Sequence, residues 1–203
     1  MKYNTIAPDE IIQKTITSLK ENGINAFVVE NGKEAKAKAL ELIPAQAEIM
    51  NMTSVTLETI GIPKEINQSG RYNSVRNQLN SMDRKTQNSQ MQKLGAAPVY
   101  AIGSVHAVTQ EGQVVIASNT GSQLPAYAYG AAKVIWVVGA QKIVKDLDTA
   151  FKRIYEYVLP LESERARKAY GVEGSNVSKL LIVNKEIAPN RITIIFVKEV
   201  LGF

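Results

Sequence analysis

Three short polar segments carry most of the side chains that could do chemistry. They are residues 53–56 (Thr-Ser-Val-Thr), residues 103–106 (Gly-Ser-Val-His) and residues 118–123 (Ser-Asn-Thr-Gly-Ser-Gln). Hydroxyl groups, backbone N–H groups and the positive end of a helix dipole favour a carboxylate or a phosphate. The alternative is structural, because a Ser/Thr pair before a helix often only caps it and Asn-Thr-Gly is a common turn. We predict that the following residues bind a ligand: Ser54, Thr56, Ser104, Asn119, Thr120, Gly121, Ser122 and Gln123.

His106 and Lys142 add two groups that can move or hold charge. His106 is the only histidine, and an imidazole has an ordinary pKa near neutrality. It is therefore our predicted catalytic acid or base, the alternative being a half-buried ring bonded to backbone. Lys142 directly follows the apolar run KVIWVVGAQ. At the carboxyl end of a strand it could meet an anion, whereas at a surface it would only face solvent.

An α/β fold must position these segments. Residue 9 begins a helical pattern, residues 26–29 form a short strand, Asn31 caps a second helix, and residues 47–52 form a second strand. This order predicts a mostly parallel sheet with helices on both faces. Ligands bind such sheets beyond the carboxyl ends of the strands. We therefore expect the three polar segments to converge on one edge of the same sheet.

The rest of the chain continues this alternation. Two strands joined at Glu111-Gly112 precede the loop at 118–123, which opens a short helix. Residues 71–94 are polar, and we expect an exposed helix or an arm that could pack on another copy in a homo-oligomer. Further strands are predicted at 98–102, 133–140, 180–183 and 192–197, with the last two completing the sheet, and a helix at 146–158 continues through 165–170. We predict one domain over residues 1–203.

Composition excludes several classes of function. The chain has no cysteine, which removes disulfides, thiolate nucleophiles and iron–sulfur ligation, and one histidine cannot form a His-rich metal cluster. We predict no metal and no cofactor. The amino terminus lacks the apolar core of a signal peptide, and the longest apolar run, residues 134–140, is far below the roughly 20 residues of a membrane helix. We expect a cytoplasmic protein that does not bind membranes. The net charge of +5 is spread along the chain without a recognition motif, so nucleic acid is not a predicted partner.

Two motifs stand out, TGSQLPAYAYGAAKVIWVVGAQKIV and the closing Leu-Gly-Phe, and two weaker ones are ENGINAFVVENGKEAKAKALELIP and SVTLETIGI. Together they resemble the lactate-utilisation (LUD) domain family. The resemblance implies a three-layer, Rossmann-like fold related to ribose-5-phosphate isomerase and the CoA transferases. In those relatives an early Ser/Thr turn and a lysine after a late strand bind the anionic ligand. The matching positions here are Ser54, Thr56 and Lys142.

The chain also departs from the family pattern. Family members tend to carry Asp, Asn and Arg where this chain has Ser118, Ser122 and Gln123, and Asn where it has His106 and Gln141. Where they often have a cysteine-rich stretch, this chain has LESERARKAYGVEGSNVSKLL. Iron–sulfur chemistry is therefore excluded. No glutamate stands where a CoA transferase would place its nucleophile.

The resemblance and the residues together predict a protein that binds a small anionic metabolite, a carboxylate or a phosphate, in lactate-type 2-hydroxy-acid utilisation. It could be an enzyme with His106 as its acid or base, or an accessory subunit. One alternative is a non-catalytic sensor or regulator on the same fold. Another is a sugar-phosphate isomerase-like enzyme, although no acidic pair supports enediol chemistry. Both enzymatic hypotheses predict that His106→Ala abolishes turnover and leaves the fold intact.

Overall fold

The computed structural model describes residues 3–203. Residues 1 and 2, which belong to the predicted domain and to the amino terminus considered as a signal peptide, lie outside the described residues. In chain order the helices and strands are α1 (Asp9–Glu21), β1 (Asn25–Val29), α2 (Gly32–Glu41), β2 (Glu48–Asn51), α3 (Val55–Thr59), α4 (Ile62–Gln68), β3 (Asn73–Ser74), α5 (Val75–Ser81), α6 (Arg84–Ala96), β4 (Tyr100–Gly103), β5 (Ala107–Thr109), β6 (Val114–Ser118), β7 (Lys133–Gly139), β8 (Ile143–Val144), α7 (Leu147–Arg153), α8 (Leu159–Tyr170), β9 (Lys179–Val183) and β10 (Ile192–Val197).

The larger sheet has six strands in the order β1-β10-β7-β4-β2-β3. All neighbouring strands in it run parallel. Every residue of β10 is buried, and so is every residue of β7 after Lys133. Strands covered on both faces read as continuous apolar runs, and KVIWVVG and ITIIFV do so. The predicted parallel α/β sheet is confirmed.

Two apolar layers cover the two faces of this sheet. On one face Ile49, Ile102, Ile135, Val137 and Ile195 pack against α2, α3 and α4. On the other face Trp136, Val138 and Phe196 share a cluster with residues of α1, α5 and the strands β5 and β6. The alternate residues of each strand therefore enter opposite layers, as the period of two in a strand requires. The three-layer architecture follows.

A second, smaller sheet was missed by the sequence analysis. Its four strands lie in the order β8-β5-β6-β9, and α7 packs on it through Ala150 against Ala107 and Val115. The strand predicted at 180–183 is real, but it pairs antiparallel with β6, with Ile116 opposite Leu181, and does not extend the large sheet. Local pattern identified the strand but could not identify its partner, because pairing depends on contacts distant in sequence.

The chain passes between the two sheets four times, after β4, β6, β7 and β9. Two of these crossings are short. Residues 104–106 connect β4 of the large sheet to β5 of the small one, and residues 140–142 connect β7 to β8. The segment 118–123 follows β6, in the small sheet. The expectation that all three polar segments lie at one edge of the same sheet is therefore wrong, since two follow the large sheet and one follows the small sheet.

Other local expectations can be compared directly. The Asn31 side chain accepts a hydrogen bond from the Glu34 N–H and caps α2. The polar region 71–94 forms β3, α5 and most of α6, and α6 has no buried residue.

In the part of the chain that the structure describes, no helix combines the length and the apolar character needed to span a membrane. Within residues 3–203 no cluster of three or more His, Asp or Glu side chains could hold a metal ion.

Gly130 is expected to be intolerant of a side chain. It ends a π-helical turn, Ala126–Gly130, and a Cβ atom there would overlap the Ala96 carbonyl oxygen at the end of α6. We expect Gly130→Ala to lower the free energy of unfolding by about 1–3 kcal/mol through overpacking. In α6, Gly95→Ala places its Cβ 3.9 Å from the nearest atom, Leu79 Cδ1, and should raise stability by about 0.5–1 kcal/mol. Urea denaturation of both variants checks this, and equal stabilities would contradict the close packing of Gly130 on α6.

Candidate functional site

One cavity of about 690 Å³ brings the predicted site residues together. Of those predicted, only Gly121 does not line it. Gly121 instead forms the turn of its loop, with φ at +83° and its N–H bonded to Ser118 Oγ at 2.9 Å. The residues of the prediction that line the cavity are Ser54, Thr56, Ser104, His106, Asn119, Thr120, Ser122, Gln123 and Lys142.

Lys142 is buried at the inner end of the cavity, only 2% exposed. Its Nζ donates to Thr56 Oγ1 at 3.0 Å, to Ser104 Oγ at 3.1 Å and to the Val105 carbonyl oxygen at 3.2 Å. All three acceptors are neutral. Burial, and secondly the charge of Arg153, hold the pKa of the Lys142 ammonium well below its ordinary value. The solvent-facing alternative for this lysine is excluded by its position.

The segment that follows β7 positions Lys142, and the start of α3 positions Ser54 and Thr56. A single 3₁₀ turn, Ala140–Lys142, follows β7 and turns the lysine inward. Ser54 caps α3 by accepting the Leu57 N–H at 3.4 Å, so its capping role and its place in the cavity wall coexist. Thr56 Oγ1 also donates to the Leu201 carbonyl at 3.0 Å. That second bond fixes the direction of the lone pair that Lys142 uses.

His106 lies half-buried in the cavity wall as a neutral donor. Its Nδ1 accepts the Ala117 N–H at 3.0 Å, so the proton of the neutral ring is on Nε2. Burial, followed by the charges of Lys142 and Arg153, lowers the pKa of His106 to about 3. The ring therefore lies in the cavity wall, where a catalytic group was predicted, and it also makes the backbone hydrogen bond that the structural alternative predicted. At neutral pH it can donate a hydrogen bond to an oxygen of a ligand.

Arg153 was missed by the sequence analysis. It is fully buried, its Nη1 donates to the His106 carbonyl at 2.6 Å, and its guanidinium carbon lies 5.3 Å from the Tyr157 ring centroid. Its Nε and Nη2 have no hydrogen-bond partner, and burial lowers its pKa to about 10. Helical spacing could have found it, because it lies three residues after the inward-facing Ala150.

The loop at 118–123 is held mainly by its own hydroxyl groups. Thr120 Oγ1 donates to Ser122 Oγ at 3.1 Å, and Ser178 Oγ, next to the paired strand β9, donates to Asn119 Oδ1 at 3.2 Å. Asn119, Thr120 and Ser122 are exposed, whereas Thr56 and Lys142 are buried. The loop therefore forms the outer part of the cavity and the lysine its inner end.

The outer wall comes from a part of the chain that carried no predicted site residue. A π-helical turn, Ile154–Val158, joins α7 to α8, and a second π-helical turn supplies Tyr127 on the other side. π-Helical turns are rare overall, and those that occur are often found at functional sites. From α8, Arg165 and Glu162 line the cavity and form a bidentate ion pair with both distances 2.7 Å.

The inner end of the cavity has an uncompensated positive character. Within the described residues neither Lys142 nor Arg153 forms an ion pair with a carboxylate. A buried cation without a counter-charge is unfavourable unless a partner arrives. The Lys142 ammonium, two hydroxyl groups and the His106 imidazole surround space that an oxyanion can fill.

Comparison with known proteins identifies the family. The LUD domain model matches residues 12–197. The chain belongs to the LUD domain family. The fold of this LUD domain is similar to the crystal structure of a DUF162 family protein from Deinococcus radiodurans, with a TM-score of 0.57, 12% sequence identity, and coverage of 93% of this chain and 96% of that chain. No curated protein matches the sequence. The matched region contains every predicted site residue, while Phe203, which also lines the cavity, lies beyond it.

Proposed function

We propose that this LUD domain binds a small organic anion whose carboxylate or phosphate occupies the inner end of the cavity beside Lys142. One observation carries the proposal: a buried lysine lines a cavity, is bonded only to neutral acceptors, and has a second buried cation nearby instead of a carboxylate. An anion at this point would restore the charge balance that the protein alone does not provide.

The donors around Lys142 favour a 2-hydroxy acid among such anions. A carboxylate can accept from the Lys142 ammonium in place of Ser104 Oγ, which frees that hydroxyl group. The neighbouring 2-hydroxyl group of the ligand can then exchange hydrogen bonds with Ser104 Oγ and the His106 Nε2–H. Hydroxyl groups both donate and accept, so this arrangement can satisfy a hydroxyl group beside an acid. The proposed ligand is therefore a lactate-type acid, which goes beyond what family membership alone shows.

Binding of an anion is expected to take up a proton. Burial lowers the pKa of Lys142 in the free protein, and an adjacent negative charge favours the ammonium form and raises that pKa again. Isothermal titration calorimetry with lactate, glycolate, pyruvate and inorganic phosphate, run in buffers of different ionisation enthalpy, measures both affinity and proton uptake. Lys142→Met should weaken binding by about 100-fold, the cost of a charged hydrogen bond in a buried site, and remove the uptake.

Lys145→Met is the matched control, because Lys145 is an exposed lysine three residues away that does not line the cavity. It should leave affinity and proton uptake unchanged. Binding that survives Lys142→Met at wild-type affinity, or is lost equally in both variants, would refute the proposed site. Incubation of the bound acid with the protein, followed by product analysis, separates an enzyme from a sensor, because a sensor returns the acid unchanged.

A further inference from the structure

The cavity is much larger than a three-carbon hydroxy acid. Lactate has six non-hydrogen atoms, which fill roughly the volume of three or four waters, about 100 Å³. The cavity measures about 690 Å³, within the range of about 300–1,000 Å³ that is usual for ligands of considerable size. An acid bound at Lys142 alone would leave most of this space to water.

One section of the cavity wall is apolar. Ile154 and Val158, from the π-helical turn, and Ala166, from α8, are buried and line it together with Ala117 and Val177. None of these side chains can hydrogen-bond to a ligand. This section of wall therefore suits a hydrocarbon body attached to the acid, and burial of such a body adds affinity in proportion to its area.

The mouth of the cavity carries a flat, polar-edged surface. Tyr170 lines the cavity yet is 63% exposed, and the Arg165 guanidinium carbon lies 5.4 Å from the centroid of its ring. The Glu162 carboxylate accepts hydrogen bonds from Nε and Nη2 of Arg165, and these two bonds fix the plane of the guanidinium group. Aromatic rings and guanidinium planes stack on planar groups of ligands, so this pair forms a platform in the exposed part of the cavity, whereas Lys142 is buried.

We propose that the ligand is an organic acid whose hydrocarbon body ends in an aromatic ring, with the acid at Lys142 and the ring on the Tyr170–Arg165 platform. This inference rests on the proposed function for the position of the acid. It adds the class of ligand, an aryl-substituted hydroxy or oxo acid instead of lactate itself. The apolar section of wall and the cavity volume indicate the length of the ligand's hydrocarbon body. The platform indicates that this body ends in a planar group.

The test compares lactate, 3-phenyllactate and 4-phenyl-2-hydroxybutyrate, which share the hydroxy acid, with 3-phenylpropanol, which keeps the ring and lacks the acid. Dissociation constants from calorimetry should fall by about 30-fold or more from lactate to the better aryl acid, because a phenyl ring buries roughly 100 Å² of apolar surface. Tyr170→Ala should remove most of this gain and leave lactate unchanged. Tyr155→Ala is the matched control, since Tyr155 is 50% exposed on the same helical run and does not line the cavity.

The outcomes separate the two proposals. Equal affinities for lactate and the aryl acids, or an aryl gain that survives Tyr170→Ala, would overturn the aromatic platform and leave the anion site standing. Binding of 3-phenylpropanol that depends on Tyr170, with no acid sensitive to Lys142→Met, would support the platform and overturn the anion site. Binding of none of the four compounds would overturn both.

Discussion

Lys142→Met is expected to make the unliganded protein more stable at pH 7 by about 1–3 kcal/mol, while it weakens anion binding by about 100-fold. Taking an ammonium group out of water carries a desolvation penalty of several kcal/mol, and methionine, which is similar in shape, carries none. Lys142 is 2% exposed, and its burial disfavours the ammonium form. The three acceptors that it leaves can turn to water in the adjoining cavity. A gain in stability with a loss of binding is characteristic of a group retained for function.

The pH dependence of this gain follows from the lowered pKa. As pH falls below the ordinary lysine pKa of about 10.4, the unfolded chain takes up a proton that the folded wild type resists. Wild-type stability therefore decreases from pH 10 toward the lowered pKa of Lys142, and the methionine variant lacks this loss. The advantage of Lys142→Met should be small at pH 10 and larger at pH 7.

Urea unfolding at the two pH values measures this difference, and Lys145→Met provides the baseline for losing an exposed lysine. A variant that is destabilised at both pH values, with the same slope against pH as wild type, would show that Lys142 is charged and well compensated in the free protein. That result would also remove the main reason for placing an anion beside it.

His106→Asn is expected to make the protein resistant to mild acid. Burial and two nearby cations lower the pKa of His106 to about 3, below its ordinary value of about 6.5. In the wild type, the unfolded chain is protonated as pH falls through 6.5 and the folded ring is not, so stability is lost between pH 6.5 and 3. At pH 5 this loss amounts to about 2 kcal/mol. Asparagine does not titrate, and its Oδ1 can accept the Ala117 N–H in place of Nδ1.

Two measurements check this expectation. Urea unfolding at pH 7 and pH 5 should show a smaller decrease for His106→Asn than for wild type, with nearly equal stabilities at pH 7. The single histidine also gives a single imidazole signal in NMR spectra, which should keep the shifts of the neutral Nε2–H form at pH 5. A titration of that signal near pH 6.5 would contradict the buried, cation-flanked environment of the ring.

The parallel sheet and the residues of the candidate site could be predicted from local features. KVIWVVG and ITIIFV are strands buried on both faces, and their short length and β-branched residues favour strands over helices. The lysine after β7 and the Ser/Thr pair before α3 occupy places that parallel α/β sheets reserve for ligands. The family resemblance added the matching positions Ser54, Thr56 and Lys142. Their roles in binding remain predictions.

The small sheet and the outer wall could not be predicted in the same way. Pairing of β6 with β9 joins Ser118 to Lys179, and nothing in either strand specifies a partner so distant in the chain. The π-helical turn at Ile154–Val158 joins α7 to α8, and Glu162 and Arg165 follow it as charged residues of a polar helix. Charged residues in a helix usually mark a solvated face, so their types gave no sign of a cavity wall.

Two of the four crossings between the sheets, at residues 104–106 and 140–142, meet where Lys142 Nζ donates to Ser104 Oγ and to the Val105 carbonyl oxygen. One lysine side chain thus ties the two sheets together at points where the chain passes from one to the other. A ligand that holds both Lys142 and Ser104 would strengthen this tie, so occupancy of the cavity and the cooperativity of unfolding are linked quantities. Substitutions that loosen the attachment between the layers would then weaken ligand binding without touching the ligand, and selection on either property would act on the same few residues.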